Sequence, residues 1–143
     1  MPYCTQADIS PARLTAAQLI QLTDDAKTGA VNAAVVTTCI AAASGLIENY
    51  CRERYQVPLQ QTAELTEMCV SIAVYKLYNR RPGKMTETVQ QSYKDVIVLL
   101  KDIAAKKASL DQPTGGVEQT PSANSVSRKR DTVFTNRKLE GYI

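Results

Sequence analysis

The residues that most enzymes use for catalysis are scarce in this chain. None of its 143 residues is a histidine, so the Ser-His and Cys-His nucleophile pairs, the commonest general base and most zinc and iron sites cannot form. Four cysteines are present, and no two of them form a Cys-x-x-Cys pair that would indicate a zinc knuckle: Cys4, Cys39, Cys51 and Cys69. We therefore expect no enzyme, no metal site and no cofactor.

The cysteines are expected to stay reduced. Cys39 and Cys69 lie among apolar residues of helical pattern, where a thiol behaves as a small hydrophobic side chain. An even number of cysteines allows disulfides, but the first residues lack the charged and apolar regions of a signal peptide. No stretch is expected to approach the length of a membrane span. These features favour synthesis in a cytoplasm and no membrane partner.

Acidic residues followed by a glycine suggest a calcium loop at Asp24-Asp25 and Gly29. A loop of this kind that begins at Asp24 would place Ala26 and Val35 at positions that require oxygen ligands. Because neither can bind calcium through its side chain, we interpret the segment as a turn between helices.

Basic residues form two clusters in a chain whose net charge is only +3. Arg80-Arg81, with Lys84, precedes the last predicted helix, and these side chains either complement a helix C-terminus or contact a charged subunit or DNA. Arg128-Lys129-Arg130 either keeps a C-terminal arm solvated or steers it to an acidic protein or to DNA. The sequence leaves both alternatives open.

The sequence predicts four helices that position the cysteines and the basic turn. Each helix begins at a residue that can cap it. The predicted caps are Thr15, Asn32, Thr62 and Thr86. Apolar residues recur at helical spacing after the second cap (Val36, Ile40, Ala43, Ile47, Tyr50) and after the fourth (Val89, Tyr93, Val96, Leu100, Ile103). The Ala-rich middle of the second helix favours helix and permits close approach by a neighbour. Short connections then predict an all-α antiparallel bundle of about four helices, the last spanning residues 86–108.

The chain divides into a helical bundle domain (residues 1–110) and a flexible linker with a docking arm (residues 111–143). Residues 111–127 have the Gly, Pro, Ser and Thr content of a linker. Thr132–Thr135 favours a short strand, and Phe134 is the only Phe of the protein. A strand-prone peptide with one large anchor is typical of partner binding, so we expect these arm residues to contact a partner: Arg128, Arg130, Val133, Phe134, Arg137, Leu139 and Tyr142.

Several segments together resemble a family of Mu-like prophage proteins over nearly the whole chain. They include Tyr3-Cys-Thr-Gln-Ala-Asp8, the Ala-rich helix that ends in Ile47-Glu-Asn-Tyr50, and Val133-Phe134-Thr-Asn-Arg-Lys-Leu139. The most specific segment is Arg54-Tyr55-Gln-Val57-Pro58-Leu59, which follows the Ala-rich helix.

The resemblance implies a structural virion protein, a head–tail adaptor that completes the head of a tailed phage. Such adaptors form a homo-oligomeric, dodecameric ring in the virion neck, between the portal and the tail, and are assembled in the cytoplasm of the bacterial host. The implied partners are other copies of the chain, the portal protein, a tail-side neck or tail-terminator protein and, in passing, packaged DNA in the pore. The C-terminal arm would reach the portal or a neighbouring subunit.

Arg54, Tyr55 and Pro58 are expected to be architectural residues. Pro58 would fix a chain reversal, and Arg54 would pair with an acidic neighbour or with the next subunit. Two rival functions are a tail-completion or tail-terminator protein and a small DNA-binding module that uses the basic turn and the arm.

Overall fold

The structure is a computed structural model that describes residues 2–113. This part of the chain is mainly helical. Five α-helices follow one another as α1 (Gln6–Ile9), α2 (Ala16–Thr23), α3 (Ala33–Cys51), α4 (Ala63–Asn79) and α5 (Glu87–Ala104), with one 3-10 turn at Pro82–Lys84. These residues contain no strand. The predicted all-α class is confirmed, and the expected strand at Thr132–Thr135 lies outside the described residues.

The four predicted helix caps are confirmed. The side chain of Thr15 accepts a hydrogen bond from the backbone N–H of Gln18, and the Gln18 side chain accepts one from the Thr15 N–H. The side chains of Asn32, Thr62 and Thr86 accept bonds from the first-turn N–H groups of α3, α4 and α5 in the same way. Each cap satisfies backbone donors that a helix start leaves without partners.

The core is built around α4, which packs against both α3 and α5. Nine residues of α4 are buried, whereas α5 buries only Leu100 and Ile103, so α4 is the central helix of the bundle. Ser44 of α3 approaches Cys69 of α4, and the Tyr75 ring stacks on the Tyr93 ring with centroids 3.8 Å apart. The predicted core stripe of α3 is buried at Val36, Ile40, Ala43 and Ile47.

The expectation that no stretch approaches the length of a membrane span is wrong for α3. Its 19 residues, with a mean hydropathy of 1.2, are long and apolar enough to cross a membrane by length and composition. Only 39% of the residues in its most apolar 18-residue stretch are buried, because one side of α3 packs against the other helices and the opposite side faces outward. The larger apolar residues of α3 are buried or packed against the core, so its outward side exposes mainly small residues.

The structure differs from the sequence expectations at one short helix and at one helix end. α1 was not predicted, because four residues are too short for a recognisable apolar period. α5 ends at Ala104 rather than at residue 108, because Lys106 adopts a left-handed φ of 64° that turns the chain away from the helix axis. The turn brings Leu110 back into the core, where it is buried.

Candidate functional site

The basic cluster before α5 is used inside the bundle. Arg80 donates to the Leu22 carbonyl oxygen at 2.8 Å and forms an ion pair with Asp25. Arg81 Nη2 lies 3.1 Å from the same Asp25 carboxylate. The two guanidinium groups thus tie the loop after α2 to the end of α4.

The loop that suggested calcium binding holds itself together through backbone hydrogen bonds. The carboxylate of Asp24 accepts from the N–H groups of Thr28 (2.9 Å) and Gly29 (2.7 Å). These bonds, chiefly the one from Thr28, lower the pKa of the Asp24 carboxyl below its ordinary value. Among residues 2–113 no group of three or more Cys, Asp or Glu side chains is arranged to hold a metal ion.

Arg54 and Tyr55 hold the chain segment that follows α5. Arg54 Nη1 donates to the carbonyl oxygens of Ile103 (3.2 Å) and Ala108, so within the described chain its partners are backbone carbonyls rather than the expected acidic side chain. The buried Tyr55 hydroxyl accepts a hydrogen bond from the Leu110 N–H at 2.8 Å. An arginine can satisfy two carbonyls at the end of a helix because its guanidinium presents several donors in one plane.

The last described residues lie along the loop between α3 and α4. Gln56 N–H donates to the Pro113 carbonyl at 3.3 Å, and Gln60 exchanges two hydrogen bonds of 2.7 Å with the side chain of Gln112. The exposed Pro58 lies in this loop, and the Val57–Pro58 peptide bond is cis. Pro113, the last described residue, therefore lies beside the α3–α4 loop.

Tyr3 organises the N-terminal segment, although no role for this residue is predicted from the sequence. Its side chain is buried; the hydroxyl donates to Glu48 at 2.6 Å and accepts from the Leu59 N–H at 2.9 Å. Its backbone N–H donates to Ser44, and its carbonyl accepts from Thr66. Burial and the bond to Glu48 raise the pKa of Tyr3 to about 12. No apolar period precedes Tyr3, so only its place in the resembling N-terminal segment could have indicated it.

The outward side of α3 carries small residues. We call it the small-residue face: Ala34, Thr38, Ala41, Ala42 and Gly45. A Cβ atom added at Gly45 would have no described atom within 4 Å, so the bundle itself does not require a glycine there. Glycine inside a helix is destabilising relative to alanine, and its absent side chain lets another backbone approach closely.

A groove runs beside this face, between the N-terminal segment and α3. Its volume is about 460 Å³, and its lining includes Pro2, Cys4, Thr37, Ala41 and Ser44. Val98 of α5 is 58% exposed and is the one large hydrophobic residue exposed to this degree among residues 2–113. The outward side of α3 exposes mainly alanine and threonine.

The predicted partner-binding residues of the arm lie outside the described residues: Arg128, Arg130, Val133, Phe134, Arg137, Leu139 and Tyr142. Their contacts stay a prediction. The architectural residues Arg54 and Tyr55, in contrast, both hold the segment after α5, through the Ala108 carbonyl and the Leu110 N–H.

The described chain is thus a small all-α domain whose polar contacts brace its own loops and whose longest helix exposes a face of small residues. A family model described as bacteriophage Mu, Gp36 matches residues 3–129. The chain belongs to this phage Mu Gp36 family, which confirms the resemblance to Mu-like prophage proteins. No curated protein matches it.

Proposed function

We propose that the protein is a head–tail adaptor that forms a dodecameric ring between the portal and the tail of a Mu-like phage. It acts as a structural component without catalysis, in the virion neck. Membership in the phage Mu Gp36 family supports a phage role, and the surface of α3 supports assembly with other subunits.

The observation that carries this proposal is the small-residue face of α3. The outward side of α3 exposes alanines and threonines, and burying the apolar part of such a surface between subunits is favourable by roughly 25 cal/mol for each Å² of apolar area. Gly45, half-buried at the C-terminal end of the face, leaves room for the backbone of a second copy. Neighbouring subunits of the ring meet along this face.

The arm supplies the contact with the portal. The last described residue, Pro113, lies beside the α3–α4 loop, and Arg54 and Gln112 brace the segment that leads to it. Val133 and Phe134 give the arm an apolar anchor, and Thr132–Thr135 can add a strand to an open sheet edge of the partner. The basic residues at Arg128 and Arg130 steer it to an acidic surface.

The rival DNA-binding function has less support. Arg80 and Arg81 are paired with Asp25, and Lys84 donates to Gln21 at 2.9 Å. These contacts occupy the cations of the basic turn and reduce the number of free phosphate-binding groups in the bundle.

The arm is tested by binding to the cognate portal protein in sedimentation velocity. Deleting residues 114–143 preserves every described contact, and the truncated bundle is expected to remain helical by circular dichroism and to lose portal binding. In the full chain, Phe134→Ala is expected to weaken binding by about 1–3 kcal/mol, in the range of an aromatic anchor. The matched control is Val98→Ala, which removes an exposed apolar side chain from the bundle. Full portal binding by the truncated chain would contradict the docking role of the arm.

The ring contact is tested separately with Gly45→Leu, which adds bulk to the small-residue face at a position where a Cβ atom meets no described atom within 4 Å. We expect portal-bound rings to be lost while the monomer stays folded. Ala17→Leu adds similar bulk to an exposed position of α2 and serves as the control. Normal rings formed by Gly45→Leu would show that subunits do not meet along α3.

A further inference from the structure

Two cysteines that are distant in sequence meet in the core. The Cys4 thiol, just before α1, donates a hydrogen bond to the Cys69 sulfur of α4, with the two Sγ atoms 3.0 Å apart. Both residues are almost fully buried, with 1% and 0% of their surface exposed. All four cysteines are free thiols in the structure, and a disulfide between these two would require the sulfurs to approach by only about 1 Å.

The surroundings of the pair favour a reactive sulfur at Cys69. The hydrogen bond from Cys4 lowers the pKa of Cys69, and the Ser44 hydroxyl, 3.6 Å from its sulfur, acts in the same direction. The pKa of Cys4 is raised, because its S–H donates to Cys69 and because it is buried. The pair therefore loses its first proton more easily than its second proton. The thiolate that this leaves is the form that reacts with oxidants.

The backbone around the pair is already held in place. Tyr3, next to Cys4, donates to Ser44 and accepts from Thr66 of α4 at 3.1 Å. These contacts fix the N-terminal segment against α4, so that the two sulfur atoms stay close together without a covalent bond.

A path for a small reagent reaches the pair. The groove between the N-terminal segment and α3 is lined by both Cys4 and Ser44. The Cys4 sulfur lies 3.0 Å from that of Cys69, so an oxidant that enters the groove reaches the pair at Cys4.

We propose that Cys4 and Cys69 form a dithiol oxidation site that a small peroxide converts into a disulfide. The thiolate of the pair attacks one oxygen of hydrogen peroxide, forming a sulfenic acid and releasing hydroxide. The second thiol then attacks the sulfenic sulfur, forming the S–S bond and releasing water. In total, two thiols and one peroxide give one disulfide and two waters: the sulfurs are oxidised and the peroxide oxygens are reduced.

The disulfide joins the N-terminal segment to the central helix. It closes a loop from residue 4 to residue 69, and a loop of this length restricts the unfolded chain strongly. The reducing glutathione pool of a cytoplasm keeps such thiols free, so the bond forms when the protein meets an oxidant. This inference goes beyond the proposed function and does not depend on it.

The test uses the full chain, reduced, freed of reductant and treated with a small excess of hydrogen peroxide. The sample is denatured, alkylated with N-ethylmaleimide and weighed by mass spectrometry. We expect two adducts in place of four, a Cys4–Cys69 linked peptide on digestion, and a Tm raised by roughly 5 °C or more that dithiothreitol reverses. Cys39→Ser and Cys51→Ser are the matched controls and should keep the linkage.

Cys69→Ala and Cys4→Ala should each abolish the linkage and the rise in Tm. Because Cys4 lies outside the long helices, Cys4→Ala preserves the test if Cys69→Ala fails to fold. Four adducts after peroxide treatment, a linkage through Cys39 or Cys51, or a lower Tm on oxidation would overturn the proposal.

Discussion

At the scale of single residues, stability depends on side chains that the bundle encloses completely. Ile47 of α3 and Leu100 of α5 have no exposed surface, and both lie on stripes that the sequence predicted from spacing alone. Their positions could be predicted because helical periodicity reports which side faces the core. Tyr3 could not be predicted in this way, because its burial depends on contacts with Glu48, Leu59 and Thr66 that are distant in sequence.

The first prediction concerns the core stripe. Ile47→Ala is expected to lower the free energy of unfolding by about 2–5 kcal/mol, because it removes buried methyl groups and leaves a cavity beside α4. Urea unfolding followed by circular dichroism measures the change. Val98→Ala on the exposed side of α5 is the control and should shift stability by less than about 0.5 kcal/mol. Equal effects of the two variants would contradict the assignment of Ile47 to the core.

The second prediction concerns the Tyr3 hydroxyl. Tyr3→Phe is expected to destabilise the bundle by about 1–3 kcal/mol at neutral pH, because it leaves the Leu59 N–H and the Glu48 carboxylate without their partner. Tyr50→Phe is the control, since the Tyr50 ring is only half-buried. A wild-type unfolding midpoint in Tyr3→Phe would show that the hydroxyl contributes nothing.

The third prediction follows from the raised pKa of Tyr3, about 12 in the folded protein against an ordinary value of about 10. Between these two pH values the unfolded chain loses a proton that the folded protein retains, so unfolding becomes easier as pH rises. We expect stability to fall more steeply from pH 10 to pH 12 in the wild type than in Tyr3→Phe. Parallel pH profiles for the two proteins would contradict the coupling between Tyr3 ionisation and folding.

At the scale of elements, short-range signals determined what the sequence could predict. The caps at Thr15, Asn32, Thr62 and Thr86 were predicted correctly, because a cap is a contact between residues two or three apart. The end of α5 was missed, because the turn at Lys106 is stabilised from a distance by Arg54, which holds the carbonyls of Ile103 and Ala108.

The fourth prediction tests the long-range contact between Tyr55 and the segment after α5. Tyr55→Phe removes the acceptor of the Leu110 N–H, so the amide of Leu110 is expected to exchange with deuterium faster, while the core amides of α4 keep their protection. Hydrogen exchange with peptide-level mass spectrometry measures the difference. Tyr50→Phe is again the control. Unchanged exchange at Leu110 would show that the segment after α5 is held by other contacts.

At the scale of the whole molecule, the proposed adaptor combines a rigid bundle with a contact surface and an arm. The resemblance indicated the family because the N-terminal segment, the Ala-rich helix and the Arg54–Leu59 loop occur together, and the match over residues 3–129 confirms it. The small-residue face was only partly predictable. The Ala-rich middle of α3 indicated close approach, but which alanines face outward depends on how α3 packs against α4 and α5.

The fifth prediction tests the proposed ring directly, by electron microscopy of the full chain mixed with its cognate portal protein. We expect class averages with a dodecameric ring of this protein on the tail-facing end of the portal, with neighbouring bundles in contact along α3. The proposed adaptor role and the small-residue face of α3 both lead to this arrangement. A chain that leaves the portal bare and instead binds the end of isolated tails would contradict the account and favour a tail-completion protein.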